Sequence, residues 1–232
     1  MTGTGNPSPA ACDRARLTSA GRVCQTAGVP PHRDVAAFGE RAPGYEQGWR
    51  GRMHHDIADR VADLALAAGA TPQRVLDVGC GTGYLLRQLA ARLPEASDLA
   101  GIDAAPAMIE TAQLAAAQQA EADPRLRLSI GVAEQLRFPD GAFDLVVSTT
   151  SFDHWEDQQA GLRECARVLA PGGHLVVADQ FSPLLAPTLL RGRRGKARTP
   201  RRASRLVAAA GFRDLTWHHI YAGIINAVTA TV

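Results

Sequence analysis

The run VLDVGCGTG, residues 75–83, constrains this chain more than any other stretch. Apolar residues around one acid give a short buried strand, three glycines give a tight turn, and YLLRQLAARL beyond them reads as a helix. Strand, turn and helix in that order bring backbone against a small ligand. Twenty residues past Gly83, the segment LAGID ends a second apolar run on Asp103. An acid at that place in a βαβ unit is suited to grip a ribose.

The glycine spacing narrows the ligand. Gly79, Gly81 and Gly83 form G-x-G-x-G, not the G-x-G-x-x-G of a dinucleotide fingerprint, and no lysine follows as in a phosphate loop. Asp77 sits at the strand end, two residues before the first glycine. A carboxylate there repels a pyrophosphate and suits an ammonium. With Asp103, the pattern predicts a nucleoside carrying a cationic amino-acid tail.

The rest of the chain continues the alternation. Strands are predicted at 74–78, 98–102, 126–130, 143–148 and 174–178, with helices at 84–93, 106–121 and 158–169 between them. A helix at 201–210 and an antiparallel pair at 212–219 and 223–231 follow. Such alternation gives an α/β fold: a mostly parallel sheet covered by helices on both faces. At 232 residues the chain suits one large domain. Residues 1–35 are poor in large apolar groups and read as a flexible arm. In 38–52, aromatics among glycines read as an ordered covering loop, and Ile57, Val61, Leu64 and Ala68 as a helix stopped by Gly69.

Charge and cysteines set further bounds. The formal net charge is +2, yet Arg191, Arg193, Arg194, Lys196, Arg198, Arg201, Arg202 and Arg205 follow one another with no intervening acid. That run is read as a solvated loop and outer helix face, with an anionic group or a nucleic acid as the alternatives. Cys12, Cys24, Cys80 and Cys165 form no CxxC pair, and there is no apolar stretch of 18 residues and no signal-like start. A reduced, cytoplasmic protein with no membrane span is the expectation. No metal-ligand spacing such as H-E-x-x-H is present, so no metal is expected.

Several ordered motifs together carry a resemblance. VLDVGCGTGYLL, GIDAAPAMIETA, IGVAEQLRFPDGAFDLVVS and ARVLAPGGHLVVADQF are similar to successive motifs of the class I S-adenosylmethionine-dependent methyltransferases. The likeness is to the small-molecule branch that includes the ubiquinone and menaquinone biosynthesis methyltransferases. It implies a Rossmann-like seven-stranded sheet of order 3-2-1-4-5-7-6 with an antiparallel last strand. It implies one methyltransferase domain over 36–232, with an N-terminal cover and helix at 36–70 and a lid-like basic loop at 181–200. The cofactor would be S-adenosyl-L-methionine, leaving as S-adenosyl-L-homocysteine. The partner would be a small-molecule acceptor, and the protein a monomer or homodimer.

The resemblance also implies site residues. Asp77, Gly79, Cys80, Gly81 and Gly83 would surround the methionine tail, Asp103 the ribose hydroxyls, and Ala104, Met108, Ala133 and Glu134 the adenine. Relatives often carry an Asp that accepts from the adenine amine where this chain has Val132. Tyr45 would close over the cofactor, with Trp49, Arg52 and His55 as helpers, and at most one of the adjacent His54 and His55 would face the site. Ser148 ends strand four at the cofactor rim, which also presents Thr149, Ser151, Asp153, His154 and Trp155. Asp153 and His154 are the candidate catalytic pair, since imidazole titrates near neutrality and an acceptor fixes its tautomer. The alternative is structural: Asp153 as a helix N-cap, with His154 packed beneath the adenine. Phe181, Leu184, Leu185, Leu189 and Leu190 would form an apolar lid.

O-methylation of a compact aromatic or isoprenoid-like metabolite is the first expectation, with C-methylation next and N-methylation also open. An RNA-binding or RNA-modifying protein using the basic run is the alternative class. An NAD-dependent oxidoreductase is disfavoured by the glycine spacing and Asp77.

Overall fold

A computed structural model describes residues 34–67, 71–118, 123–182 and 199–232. The arm before residue 34, Cys12, Cys24, Gly69, the four lid leucines and the basic residues from Arg191 to Arg198 lie outside them. The elements are α1 (Val35–Arg41), α2 (Gly48–Ala67), β1 (Arg74–Val78), α3 (Tyr84–Arg92), β2 (Asp98–Asp103), α4 (Pro106–Ala117), β3 (Leu126–Ile130), β4 (Phe143–Thr149), α5 (Gln158–Val168), β5 (Leu169–Asp179), α6 (Pro200–Ala209), β6 (Arg213–Tyr221) and β7 (Ile225–Thr231).

The seven strands form one sheet in the order β3-β2-β1-β4-β5-β7-β6. β1, β2, β3, β4 and β5 pair in parallel, whereas β7 runs antiparallel to both β5 and β6. Alternate residues of the central strands feed two cores. Leu76 and Val78 join Leu162, Val168 and Val207 on the α5–α6 face, while Val75 joins Ile57, Val61, Leu86 and Leu89 on the α2–α3 face. Each fully buried leucine or valine of this kind stabilises by about 1.5–3 kcal/mol. All parallel strands end on the same side, so ligands are received beyond the C-terminal ends of β1, β2 and β4.

Two readings of the sequence are corrected here. Most of 38–52 is helical: α1 reaches Arg41 and α2 already starts at Gly48. Gly51 is a packing position, because a Cβ there would lie 2.0 Å from the Glu46 carbonyl oxygen. The glycine lets the preceding turn lie against the helix, and a chain folded on its own first turn looks like a loop in composition. Phe181, expected in a lid, is 1% exposed and stacks edge-on against Trp217 at 5.3 Å. Its carbonyl accepts from Asn226 Nδ2, so it closes the α5–α6 core.

Gly161, inside α5, shows how closely that helix meets the ligand side. An added Cβ would lie 2.4 Å from Trp155 Cε3 and 3.1 Å from Ala133 Cβ. Alanine in a helix interior is ordinarily better than glycine by about 0.5–1 kcal/mol, but overpacking costs about 1–3 kcal/mol. Gly161→Ala is therefore expected to lower the urea midpoint; a raised midpoint would contradict this packing.

Candidate active site

The glycine turn is tied to the strand beside it. The Gly79 and Cys80 N–H groups both donate to the Ile102 carbonyl at 2.8 and 2.9 Å, and Gly81 N–H donates to Asp103 Oδ2 at 3.0 Å. Gly79 has φ +78°, and a Cβ there would meet Ser151 Oγ at 1.8 Å. Gly81 has φ +54° with no heavy atom within 4 Å of its Cβ position, so this stretch of backbone faces open space. The second oxygen of Asp103 accepts from Ala105 N–H at 2.8 Å. These two bonds aim the carboxylate.

Two hollows flank this turn. The first is lined by Gly79, Gly81, Asp103, Ala104, Met108 and Glu134, together with Val132, Ala133, His154 and Trp155. Its floor is apolar and ring-sized, with Met108 1% exposed. Glu134 lines it too, although one carboxylate oxygen accepts from Asp157 N–H at the start of α5. Val132 offers no side-chain acceptor, and its carbonyl accepts from Gln135 N–H.

The second hollow is lined by Glu46, His54, His55, Asp77, Cys80 and Thr82, among others. Asp77 Oδ1 and Thr149 Oγ1 are buried there with no hydrogen-bond partner among the described residues, while His55 Nε2 lies 3.6 Å from Glu46 Oε2. A buried polar atom without a partner is costly, so a polar, cationic ligand group fits this end. Burial, and then the charge of Asp103, push the Asp77 carboxyl up to about 8. A bound ammonium would favour its ionised form. The apolar ring floor, the aimed Asp103 and the acidic far hollow match the parts of S-adenosylmethionine.

Tyr45 and Thr150 line both hollows and also a third cavity of about 490 Å³. The Tyr45 phenol is hydrogen-bonded with the Thr150 side chain, and burial followed by Asp103 raises its pKa. Thr150 has φ +52°, rare for a β-branched residue, and is held there by its N–H bond to the Ala178 carbonyl at 2.7 Å. Strain of this kind, worth about 1–3 kcal/mol, gathers at functional sites.

Other expected residues fall differently. His154 does not pair with its neighbour. Its Nδ1 lies 2.8 Å from Asp34 Oδ2, just before α1, and its ring meets Phe38 edge-on at 4.9 Å. Asp153 is 4% exposed, and its backbone N–H donates to Asp179 Oδ2, while Asp157 is the N-cap of α5. Adjacent residues in a 3₁₀ turn point apart, which separates the expected pair. Ser148 is fully buried and lines neither hollow; Thr149, Thr150 and Ser151 take that role. Gly83 precedes α3 with φ +76° without lining a hollow.

Both His54 and His55 line the tail hollow, stacked on Tyr45 and Tyr84 respectively. Trp49 is 64% exposed and lines none of these cavities, nor does Arg52. Asp34, Glu46 and Thr150 escaped the sequence reading. Only Thr150 left a signal there, by its position just after β4.

Asp77 yields a pH prediction. Its folded-state pKa of about 8 lies above the ordinary carboxylate value. The folded state therefore holds a proton that the unfolded chain has lost, and stability falls as pH rises across that window. Asp77→Asn removes this loss. The Tm of the ligand-free variant relative to wild type should rise between about pH 5 and pH 8. S-adenosylhomocysteine should bind wild type more tightly as pH rises over the same range and bind the variant weakly throughout. A Tm difference independent of pH would contradict the raised pKa.

Residues 76–177 match a family described as "Methyltransferase domain". The chain is 42% identical over 125 residues to a demethylmenaquinone methyltransferase of Thermus thermophilus, covering 53% of each protein. It is 32% identical over 164 residues to an ajmaline N-methyltransferase of Rauvolfia serpentina, covering 67% of this chain and 54% of that one. The chain spans about half the length of the curated relatives it matches. Among solved structures, human N-acetylserotonin methyltransferase in complex with SAM shares the fold at a TM-score of 0.61 and 19% identity, over 86% of this chain and 56% of that one. The glycine turn, the strand order and the matched residues converge: residues 76–177 resemble a methyltransferase domain, and the chain shares the fold of the solved methyltransferases it matches.

Proposed function

We propose that the protein transfers a methyl group from S-adenosylmethionine to an oxygen of a small aromatic acceptor, with carbon as the next choice of receiving atom. The observation that carries this reading is the meeting of three cavities at Tyr45 and Thr150. S-adenosylmethionine, when bound, supplies a methyl group on a positive sulfur, which leaves as a neutral thioether on displacement. Asp103 would hold the ribose, the Met108 side the adenine, and the Asp77–Glu46 side the amino-acid tail. The third cavity then receives the acceptor at the one place where both halves of the donor hollow open to it. Relatives named for demethylmenaquinone and ajmaline support a small-molecule acceptor.

The chain's own residues supply orientation and a base. His154 lines both the adenosine hollow and the acceptor cavity. A proton on Nδ1, bound to Asp34, leaves Nε2 as the acceptor. As the acceptor oxygen is methylated, His154 would take up its hydroxyl proton. Asp34 positions the ring and stabilises the imidazolium, so closure of the N-terminal segment completes the base. Phe38 and Tyr45 cover the reacting groups and exclude water.

Two substitutions separate donor binding from chemistry. Asp103→Ala should weaken S-adenosylhomocysteine binding by at least about tenfold, since hydrogen bonds to a charged group are worth about 1.5–3 kcal/mol. His154→Ala should leave that affinity intact and lower kcat about 10²–10⁴-fold, the usual range for a general base. Asp34→Asn should give a smaller kcat loss and shift the pH profile of kcat. Unchanged kcat in His154→Ala would remove the base and favour a carbon or amine nucleophile. Unchanged affinity in Asp103→Ala would put the donor elsewhere.

A further inference from the structure

The acceptor cavity is not the greasy slot that an isoprenoid alone would call for. Phe38, Met53, Ile57 and Ile225 give it apolar wall, but Arg41 and Arg50 line it as well. Each guanidinium is held against an aromatic ring: Arg41 Cζ lies 5.8 Å from the Phe38 ring centre, and Arg50 Cζ 5.5 Å from that of Trp49. Both side chains are exposed, and such a contact leaves the guanidinium N–H groups for another partner.

Neither arginine forms an ion pair with a described residue, whereas Arg60, Arg74, Arg87, Arg92, Arg125, Arg127 and Arg167 all do. Glu40 is the sole carboxylate among the residues lining the cavity, so the two guanidinium charges outnumber it. Their field reaches the reacting region, since the charge of Arg41 acts on the Tyr45 phenol and that of Arg50 on His54. The His54 imidazole is held below its ordinary pKa by burial first, then by His55 and Arg50. It therefore adds no third cation to Arg41 and Arg50, and its neutral ring has one donor and one acceptor nitrogen.

We propose that the cavity takes an aromatic acid, whose carboxylate is anchored by Arg41 and Arg50 while its ring lies on the Phe38, Met53 and Ile225 wall. The receiving atom then faces Tyr45, Thr150 and His154, which with Phe38 are the residues that the cavity shares with the adenosine hollow. This inference rests on the methyl-transfer reading of the site. A carboxylate can accept two parallel N–H bonds from one guanidinium, which an amide of the same shape cannot. The anchor is therefore a specificity device: it selects for charge at one end of the acceptor and sets how far the other end reaches.

The test uses matched probes on the full chain saturated with S-adenosylhomocysteine. Calorimetry with 4-hydroxycinnamate and with its neutral amide should show the acid binding about tenfold or more tightly, the factor expected for a charge-assisted pair. The double variant Arg41→Gln, Arg50→Gln should erase that preference while keeping wild-type affinity for S-adenosylhomocysteine, which also verifies that it is folded. Equal affinity for the two probes overturns the proposal, as does a preference that survives both substitutions or binding of neither probe. If S-adenosylhomocysteine itself fails to bind wild type, the donor reading falls first and the acid site falls with it.

Discussion

The site depends on a short set of backbone bonds between two strands' ends. The Ile102 carbonyl accepts from Gly79 and Cys80, and the next residue, Asp103, accepts from Gly81. One end of β2 thus fixes the shape of the turn after β1, and that turn in return fixes the direction of the Asp103 carboxylate. Both partners are needed. Without glycine at 79 the backbone could not pass Ser151, and without Asp103 the turn would lose its lateral anchor. The cost is two acids close together in a buried place, visible in the raised pKa of Asp77. A cationic ligand group beside Asp77 would offset that cost.

What was legible in the sequence was what is local. Strand β1, the glycine turn and Asp103 lie within 30 residues, and their spacing alone reports the βαβ unit. The strands read well because their apolar runs are short and bounded by proline, glycine or aspartate. The strand order itself came from the resemblance, since nothing in the periodicity says that β7 inserts between β5 and β6. What was not legible depends on distance. Asp34 reaches His154 across 120 positions, and no spacing rule joins them. Phe181 looked like a lid residue because its neighbours are apolar, but a bond from Asn226 on β7 draws it into the core. Gly48 and Gly51 looked like loop signals because composition does not distinguish a glycine that frees the chain from one that admits a neighbour.

The N-terminal segment emerges as part of the site. Asp34, Phe38 and Tyr45 come from the covering elements before β1, while Thr150 and His154 come from the loop after β4. These groups face each other over the donor hollow, so the cover contributes a charge partner, a ring and a phenol to one small volume. His154 thus meets its carboxylate partner, Asp34, from the cover and not from its own loop. The strained Thr150 backbone, held by Ala178, presents the opposite wall.

A single donor site is proposed to run from the Met108 hollow to the Asp77 hollow and to meet the acceptor cavity at Tyr45 and Thr150. A crystal structure of the protein with S-adenosylhomocysteine tests it most directly. One bound molecule per chain is expected, its ribose hydroxyls on Asp103, its ammonium toward Asp77 and its sulfur beside Tyr45 and Thr150, open to the cavity lined by Arg41 and Arg50. A molecule lying in the reverse sense, or a sulfur walled off from that cavity, would contradict it.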